Sequence, residues 1–201
     1  MAYRGDTGDP YVDPETGVLR NLANIGETTL LDDYEAEMSI MRQIELAADP
    51  SAAGFDFTHL REIHRYLFQD VYAWAGELRT VDISKGTSRF GSHLHVENFL
   101  TKLFNGLAEE RKIWKRSAGT VDWADRFAHY MGEINAAHPF REGNGRAQRL
   151  FIGQLADEHG FEIRWDLMTA KQILTVSIAS FDGDNGPLKE LIAKHLVQKP
   201  R

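Results

Sequence analysis

The sequence predicts an all-α fold with one short β-hairpin, and three observations carry that expectation. Apolar residues recur at helical spacing through most of the 201 residues. The period changes to alternation once, where Val81 and Ile83 are separated by polar residues. Turn residues, among them Gly76, Gly160 and the run from Asp182 to Gly186, fall where one periodic stretch gives way to the next.

The elements follow in order. Gly5, Gly8, Pro10, Pro14 and Gly17 give the start the character of an extended arm with turns, of the kind that packs onto a domain. Thr28 or Thr29 can cap a first helix, with Leu30, Leu31, Tyr34, Met38, Met41 and Ile44 at helical spacing up to Asp49 and Pro50. A second helix is expected over 57–74, striped by Leu60, Ile63, Leu67 and Val71 and ended by Gly76, with Tyr66, Phe68, Tyr72 and Trp74 as core aromatics. A hairpin is expected over 80–91, turning at Lys85 and Gly86. Further helices are expected at about 96–115, 121–137, 146–158, 167–180 and 187–197.

Composition narrows the function. A formal net charge of −7 argues against general affinity for nucleic acid backbones, so no direct nucleic acid partner is expected. The absence of cysteine excludes disulfides, thiolate metal sites and cysteine nucleophiles. The polar start has no secretory leader and no apolar run reaches membrane-spanning length, so the expectation is a cytoplasmic bacterial protein, with delivery into another cell left open and no membrane partner.

Residues 138–149 read HPFREGNGRAQR and hold the chemistry. Pro139 must end the preceding helix at His138, and the glycines allow a turn whose amide groups converge on an anion. The next helix, expected from about Arg146, brings the positive end of its dipole to the same place, which makes a phosphate site. Arg146 and Arg149, three apart on that helix, can reach back to clamp successive phosphates. Glu142 is the one acid of the loop, suited to Mg²⁺ shared with phosphate oxygens and water. His138 at the loop entrance can accept a proton from an attacking hydroxyl. Singly, each feature is ordinary: a helix-end histidine caps, an arginine pair is solvated, and Gly-Asn-Gly turns. Their convergence in twelve residues points to phosphoryl or nucleotidyl transfer.

This window resembles the Fic signature, HxFx[D/E]GNGRxxR, at every fixed position, and the stretch from Tyr72 to Arg79 is similar to the family's helix end before its flap. The resemblance implies a Fic-type helical bundle with a β-hairpin flap. Its core spans 55–190, preceded by an arm and first helix packed on it over 1–54 and followed by a helix end and tail over 191–201. It implies an enzyme, a protein adenylyltransferase, that transfers AMP from ATP to a hydroxyl side chain of a target protein. It also implies site roles: His138 as base, Glu142 as Mg²⁺ ligand, Asn144 with the backbone of Gly143 and Gly145 around the α-phosphate, and Arg146 and Arg149 on the β- and γ-phosphates. Phe140 would anchor the loop. The target would dock on the flap, 80–91, by strand addition; by itself the hairpin could also serve only to close the bundle, and the neighbouring signature is what favours docking. The family's inhibitory pattern, [S/T]xxxE[G/N], is missing from the sequence: Glu97 and Glu142 are followed by Asn or Gly, but His93 and His138 stand four before them. That favours the toxin class silenced by a small separate antitoxin, with type II topoisomerase ATPase subunits among the possible targets.

Other readings remain. Relatives on the same fold move UMP or phosphocholine, and a kinase variant carries lysine at the second loop glycine, which Gly145 argues against. His93 with His95, and His59 with His64, form pairs that could hold zinc. A silent interaction module would have no need of an intact His138, Glu142, Asn144, Arg146 and Arg149.

Overall fold

A computed structural model describes residues 4–5, 8–48, 54–86, 88–117, 119 and 121–200. Among these, seven α-helices dominate: α1 Thr28–Ala48, α2 Phe57–Phe68, α3 His93–Ser117, α4 Trp123–Ala137, α5 Asn144–Glu158, α6 Ala170–Phe181 and α7 Gly186–His195. The mainly helical class with a hairpin flap is borne out. The helix periodicity works because each apolar stripe finds a partner: α5 packs against α2 and α4, α1 against α2, and α7 against α4 and α6. Leu60 and Leu67 of α2, Phe127 and Ile134 of α4, and Phe151 and Leu155 of α5 are all within the fully buried core.

Caps set several starts. Asp56 accepts from His59 N at 2.8 Å to begin α2, and Thr169 and Gln172 close a reciprocal capping box on α6. At α1 the cap differs from the expected threonines: the Glu27 carboxylate accepts from Thr29 N and Leu30 N, each at 3.0 Å, ahead of a helix that starts at Thr28. The expected stop of α1 at Asp49 and Pro50 lies outside the described residues.

The second helix is shorter than its periodicity suggests. It ends at Phe68, and the chain turns through Val71 and Tyr72, whose N–H groups both donate to Phe68 O, before Gly76 adopts a left-handed φ of 81°. The aromatics there remain core because the turn tucks back on itself: Tyr72 stacks on Trp74 with centroids 4.2 Å apart.

The hairpin is β2 Ile83–Lys85 and β3 Ser88–Arg89, antiparallel, with Ser84 opposite Arg89. A strand the periodicity did not reveal joins it: β1 Arg4–Gly5 pairs antiparallel with β2, giving the order β1-β2-β3. A second small sheet pairs β4 Phe161–Ile163 with β5 Leu196–Gln198, so the last expected helix ends at His195 and its tail is a strand. Among the described residues no helix is long and apolar enough to cross a membrane.

Candidate active site

The loop between α4 and α5 is shaped first by its own residues. His138 caps α4 in the left-handed region, φ 47°, donating its N–H to Ile134 O at 3.0 Å, and so turns the chain into Pro139. Asn144 then closes the loop: its Oδ1 accepts from Phe140 N at 2.9 Å and its Nδ2 donates to Phe140 O at 2.7 Å. Its side chain is thus spent on the loop's shape, and what it leaves for an anion is the backbone N–H groups of the loop and the first turn of α5. Gly143 caps α5 at φ 78°, a conformation and a position that admit no side chain, because a Cβ there would run into the Phe68 ring. The helix therefore begins at Asn144, two residues before the expected Arg146.

The buried His138 ring has a defined tautomer. Its Nδ1 lies 3.0 Å from Asn135 O, which can only accept, so Nδ1 carries the hydrogen and Nε2 is the basic nitrogen. Burial holds the imidazole pKa down to about 3, with the nearby positive charges of Lys85 and Arg79 acting the same way. Phe90 of the flap stacks on the ring at 3.7 Å between centroids. Glu142 is pushed the other way: burial, then the neighbouring charge of Glu35, raises its carboxyl above the ordinary value, while one of its oxygens accepts from Gly143 N at 2.9 Å.

The two signature arginines separate. Arg149 lines a cavity of about 740 Å³ together with His138, Gly145, Lys85 and Phe90. Arg146 instead turns to α1, where it pairs with the Glu35 carboxylate and donates to Ser39 Oγ at 3.0 Å, its guanidinium 4.7 Å from the centre of the Phe68 ring. Phe140 is buried, as an anchor should be, and stacks on His64 at 3.8 Å.

Four residues hold this geometry without any signal in the signature itself. His64 accepts from Gly76 N at 2.9 Å through Nδ1, so Nε2 carries the hydrogen and donates to Glu142 O at 2.9 Å. Both ring nitrogens are used, which leaves no lone pair for the zinc pairing with His59; the Nδ1 of His93 lies 2.8 Å from Asp82 Oδ1. Among the described residues no three His, Cys, Asp or Glu side chains gather as a metal group. Arg79, buried, donates to His138 O at 2.8 Å, to Val81 O at 2.7 Å and to Gly91 O, stapling the flap base to the start of the loop. Glu35 accepts from Tyr72 OH at 2.5 Å as well as from Arg146. Asp9 holds Arg141. Each comes from a segment remote in sequence, and a lone charged residue in an arm or helix carries no spacing that could reveal it.

The same cavity is lined by α6 and the segment before it, including Trp165, Ile173, Leu174 and Phe181, with Asn135 of α4, Gln148 of α5 and Ser177 of α6 as polar groups. Apolar faces with a few polar groups beside an anion nest suit a nucleotide.

Known proteins match this arrangement. The profile of the Fic/DOC family matches residues 54–156. The chain is 40% identical over 196 residues to a Bartonella schoenbuchensis protein named protein adenylyltransferase VbhT, covering 98% of this chain and 40% of that protein. It is 39% identical over 180 residues to y4lH of Sinorhizobium fredii, named a probable protein adenylyltransferase, covering 90% of this chain and 92% of that one. The chain therefore spans well under half of the first relative and nearly all of the second. Its fold is that of the N-terminal Fic domain of a VirB-translocated Bep effector protein from Bartonella quintana, solved with bound ADP, with a TM-score of 0.85, 25% identity, and 94% and 95% of the two chains covered. With the signature folded into a capped loop over a nucleotide-sized cavity, and with these matches across its length, the chain belongs to the Fic/DOC family.

Proposed function

We propose that the chain is a protein adenylyltransferase that moves AMP from ATP to a hydroxyl side chain of a target protein and releases pyrophosphate. The observation that carries this reading is His138: buried, neutral at pH 7, its Nδ1 committed to Asn135 O, and its ring on the wall of the cavity that Arg149 also lines. Nε2 takes the hydroxyl proton as the target oxygen bonds to the α-phosphorus, and the bond from that phosphorus to the β-bridging oxygen breaks. The loop amides and the N-terminus of α5 receive the phosphates, and Arg149 lies alongside. The base fits the apolar face of Ile173, Leu174 and Phe181. ADP in the Bartonella quintana domain supports a nucleotide in this cavity.

Glu142 is the residue that would hold Mg²⁺. A single half-buried carboxylate suits an ion that arrives with the nucleotide and takes its remaining ligands from phosphate oxygens and water. When bound, the ion supplies charge neutralisation on the phosphates. The target docks on the flap; because β2 is already flanked by β1 and β3, the main chain of the target pairs with β3. The missing [S/T]xxxE[G/N] pattern supports the toxin of a pair in which a separate small antitoxin supplies the silencing helix.

The test is incubation of the purified chain with α-labelled ATP, Mg²⁺ and bacterial lysate. Label should appear on discrete protein bands and fall about 1,000-fold with His138→Ala while nucleotide affinity stays within about twofold. Glu142→Ala should raise the Mg²⁺ requirement. Transfer undiminished by His138→Ala overturns the mechanism, and label from α-labelled UTP in place of ATP would shift the donor.

A further inference from the structure

The N-terminal arm touches the flap twice and the signature loop once within eight residues. Gly5 sits opposite Ile83 and Arg4 opposite Ser84 as β1 pairs with β2. The phenolic oxygen of Tyr11 accepts from Thr80 N at 3.1 Å and donates to Leu78 O at 3.4 Å, its ring meeting Trp74 edge-on at 5.3 Å. Between them, Asp9 Oδ2 accepts from Arg141 Nε at 2.9 Å and Nη2 at 2.8 Å, with the two side chains 8% and 3% exposed, while Asp9 Oδ1 accepts from Tyr11 N at 3.0 Å. Arg141 stands between Phe140, the loop's anchor, and Glu142. The packing is close enough that a Cβ on Gly5 would lie 2.6 Å from Asp9 Cγ.

We propose that the arm is a strap that fixes the flap over the signature loop, and that Asp9 is a positioning residue for transfer, acting through Arg141. The argument is one of convergence. The flap must hold both the target strand and Phe90 over His138, yet β2 and β3 are only 3 and 2 residues long, too short to hold an orientation alone. Arg79 ties the base of the flap to His138 O. The arm ties β2 to the other side of the loop, through a buried carboxylate that has no other cation to neutralise within hydrogen-bond reach among the described residues. A loop pinned at Asn144 by its own side chain, at Glu142 O by His64 and at Arg141 by Asp9 keeps the phosphate nest and the target strand in one register. Losing the third tie moves the flap relative to the loop without removing a group that touches nucleotide.

This inference rests on the transfer reading above, and the experiment separates the two. Asp9→Asn, Gly5→Val and the charge-exchanged pair Asp9→Arg with Arg141→Asp, each in the whole 201-residue chain, are compared with the parent for rate of label transfer, nucleotide affinity and amide exchange over 83–85. Asp9→Asn should slow transfer about tenfold or more with nucleotide affinity within about twofold, and should raise exchange in β2. Gly5→Val, which displaces the Asp9 carboxylate and removes neither charge, should do the same, so the test survives if Asp9→Asn folds poorly. The exchanged pair should recover most of the loss. Parental transfer rates and parental exchange in both single variants would overturn the strap, as would an exchanged pair no better than Asp9→Asn. If the parent transfers nothing, the transfer reading fails, and unchanged β2 exchange in both variants would still overturn the strap independently.

Discussion

Arg146 of α5 is ion-paired with Glu35 of α1, and the same carboxylate accepts from the buried Tyr72 hydroxyl. A signature arginine is thus neutralised by the first helix, and the charge that does so also raises the Glu142 pKa. Glu35→Ala removes the counter-ion of a half-buried guanidinium, which keeps Ser39 Oγ, and the acceptor of a buried hydroxyl, and should cost about 2 kcal/mol of stability. Glu35→Gln keeps an acceptor and removes the charge, and should cost about 1 kcal/mol. Urea midpoints of the two variants check the order; equal losses would mean that the charge of Glu35 alone, and neither its packing nor its acceptor oxygen, carries the contribution.

The glycines of the loop are unequal. Gly143 needs its left-handed φ and has the Phe68 ring against it, with His64 Nε2 3.1 Å from where a Cβ would lie. Gly145 is in ordinary helical backbone, and its Cβ would meet only the end of the Arg149 side chain at 3.2 Å. Gly143→Ala should therefore lose about 2–3 kcal/mol and weaken nucleotide binding, whereas Gly145→Ala should be nearly neutral in stability. Thermal melts and nucleotide titrations of the pair decide it, and a Gly145→Ala loss as large as that of Gly143→Ala would refute the assignment.

The pH dependence has a definite sign. His64 and His138 are both held at about 3 in the folded chain, chiefly by burial, against an ordinary 6.5. Depressed values mean that the unfolded chain binds the protons, so their contribution is complete above about pH 6.5 and is lost as pH falls toward 3. Glu142, raised by burial, runs the opposite way: its contribution is present below its ordinary 4.5 and fades as pH rises through its folded value. Two histidines outweigh one carboxyl, so denaturant midpoints should fall steadily from pH 7 to pH 5. By the same reasoning the transfer rate should show no acid limb near pH 6.5 from His138 in the range where the fold persists. A midpoint flat over that range would contradict the burial of these rings.

Much of the site is local, and the sequence by itself determined that part. Pro139 after His138 dictates where α4 stops, Gly143 supplies the left-handed cap, and the fixed spacing from Asn144 to Arg149 puts one side chain on the loop and another on the cavity. The helices were legible for the same reason, since a 3.6-residue period survives whatever the stripe packs against. Tertiary structure decided the rest. Strands of two or three residues are too short to show a period, so β1 with β2, and β4 with β5, exist only through partners far along the chain. The end of α2 at Phe68 rather than near Trp74 depends on a turn that buries Tyr72 against Glu35. Two arginines three apart share a helix side in the sequence, yet Arg146 is drawn to α1 because Glu35 waits there, while Arg149 has the cavity. Which charge meets which is a property of packed surfaces, where a buried ion must find its counter-ion wherever the fold has placed one.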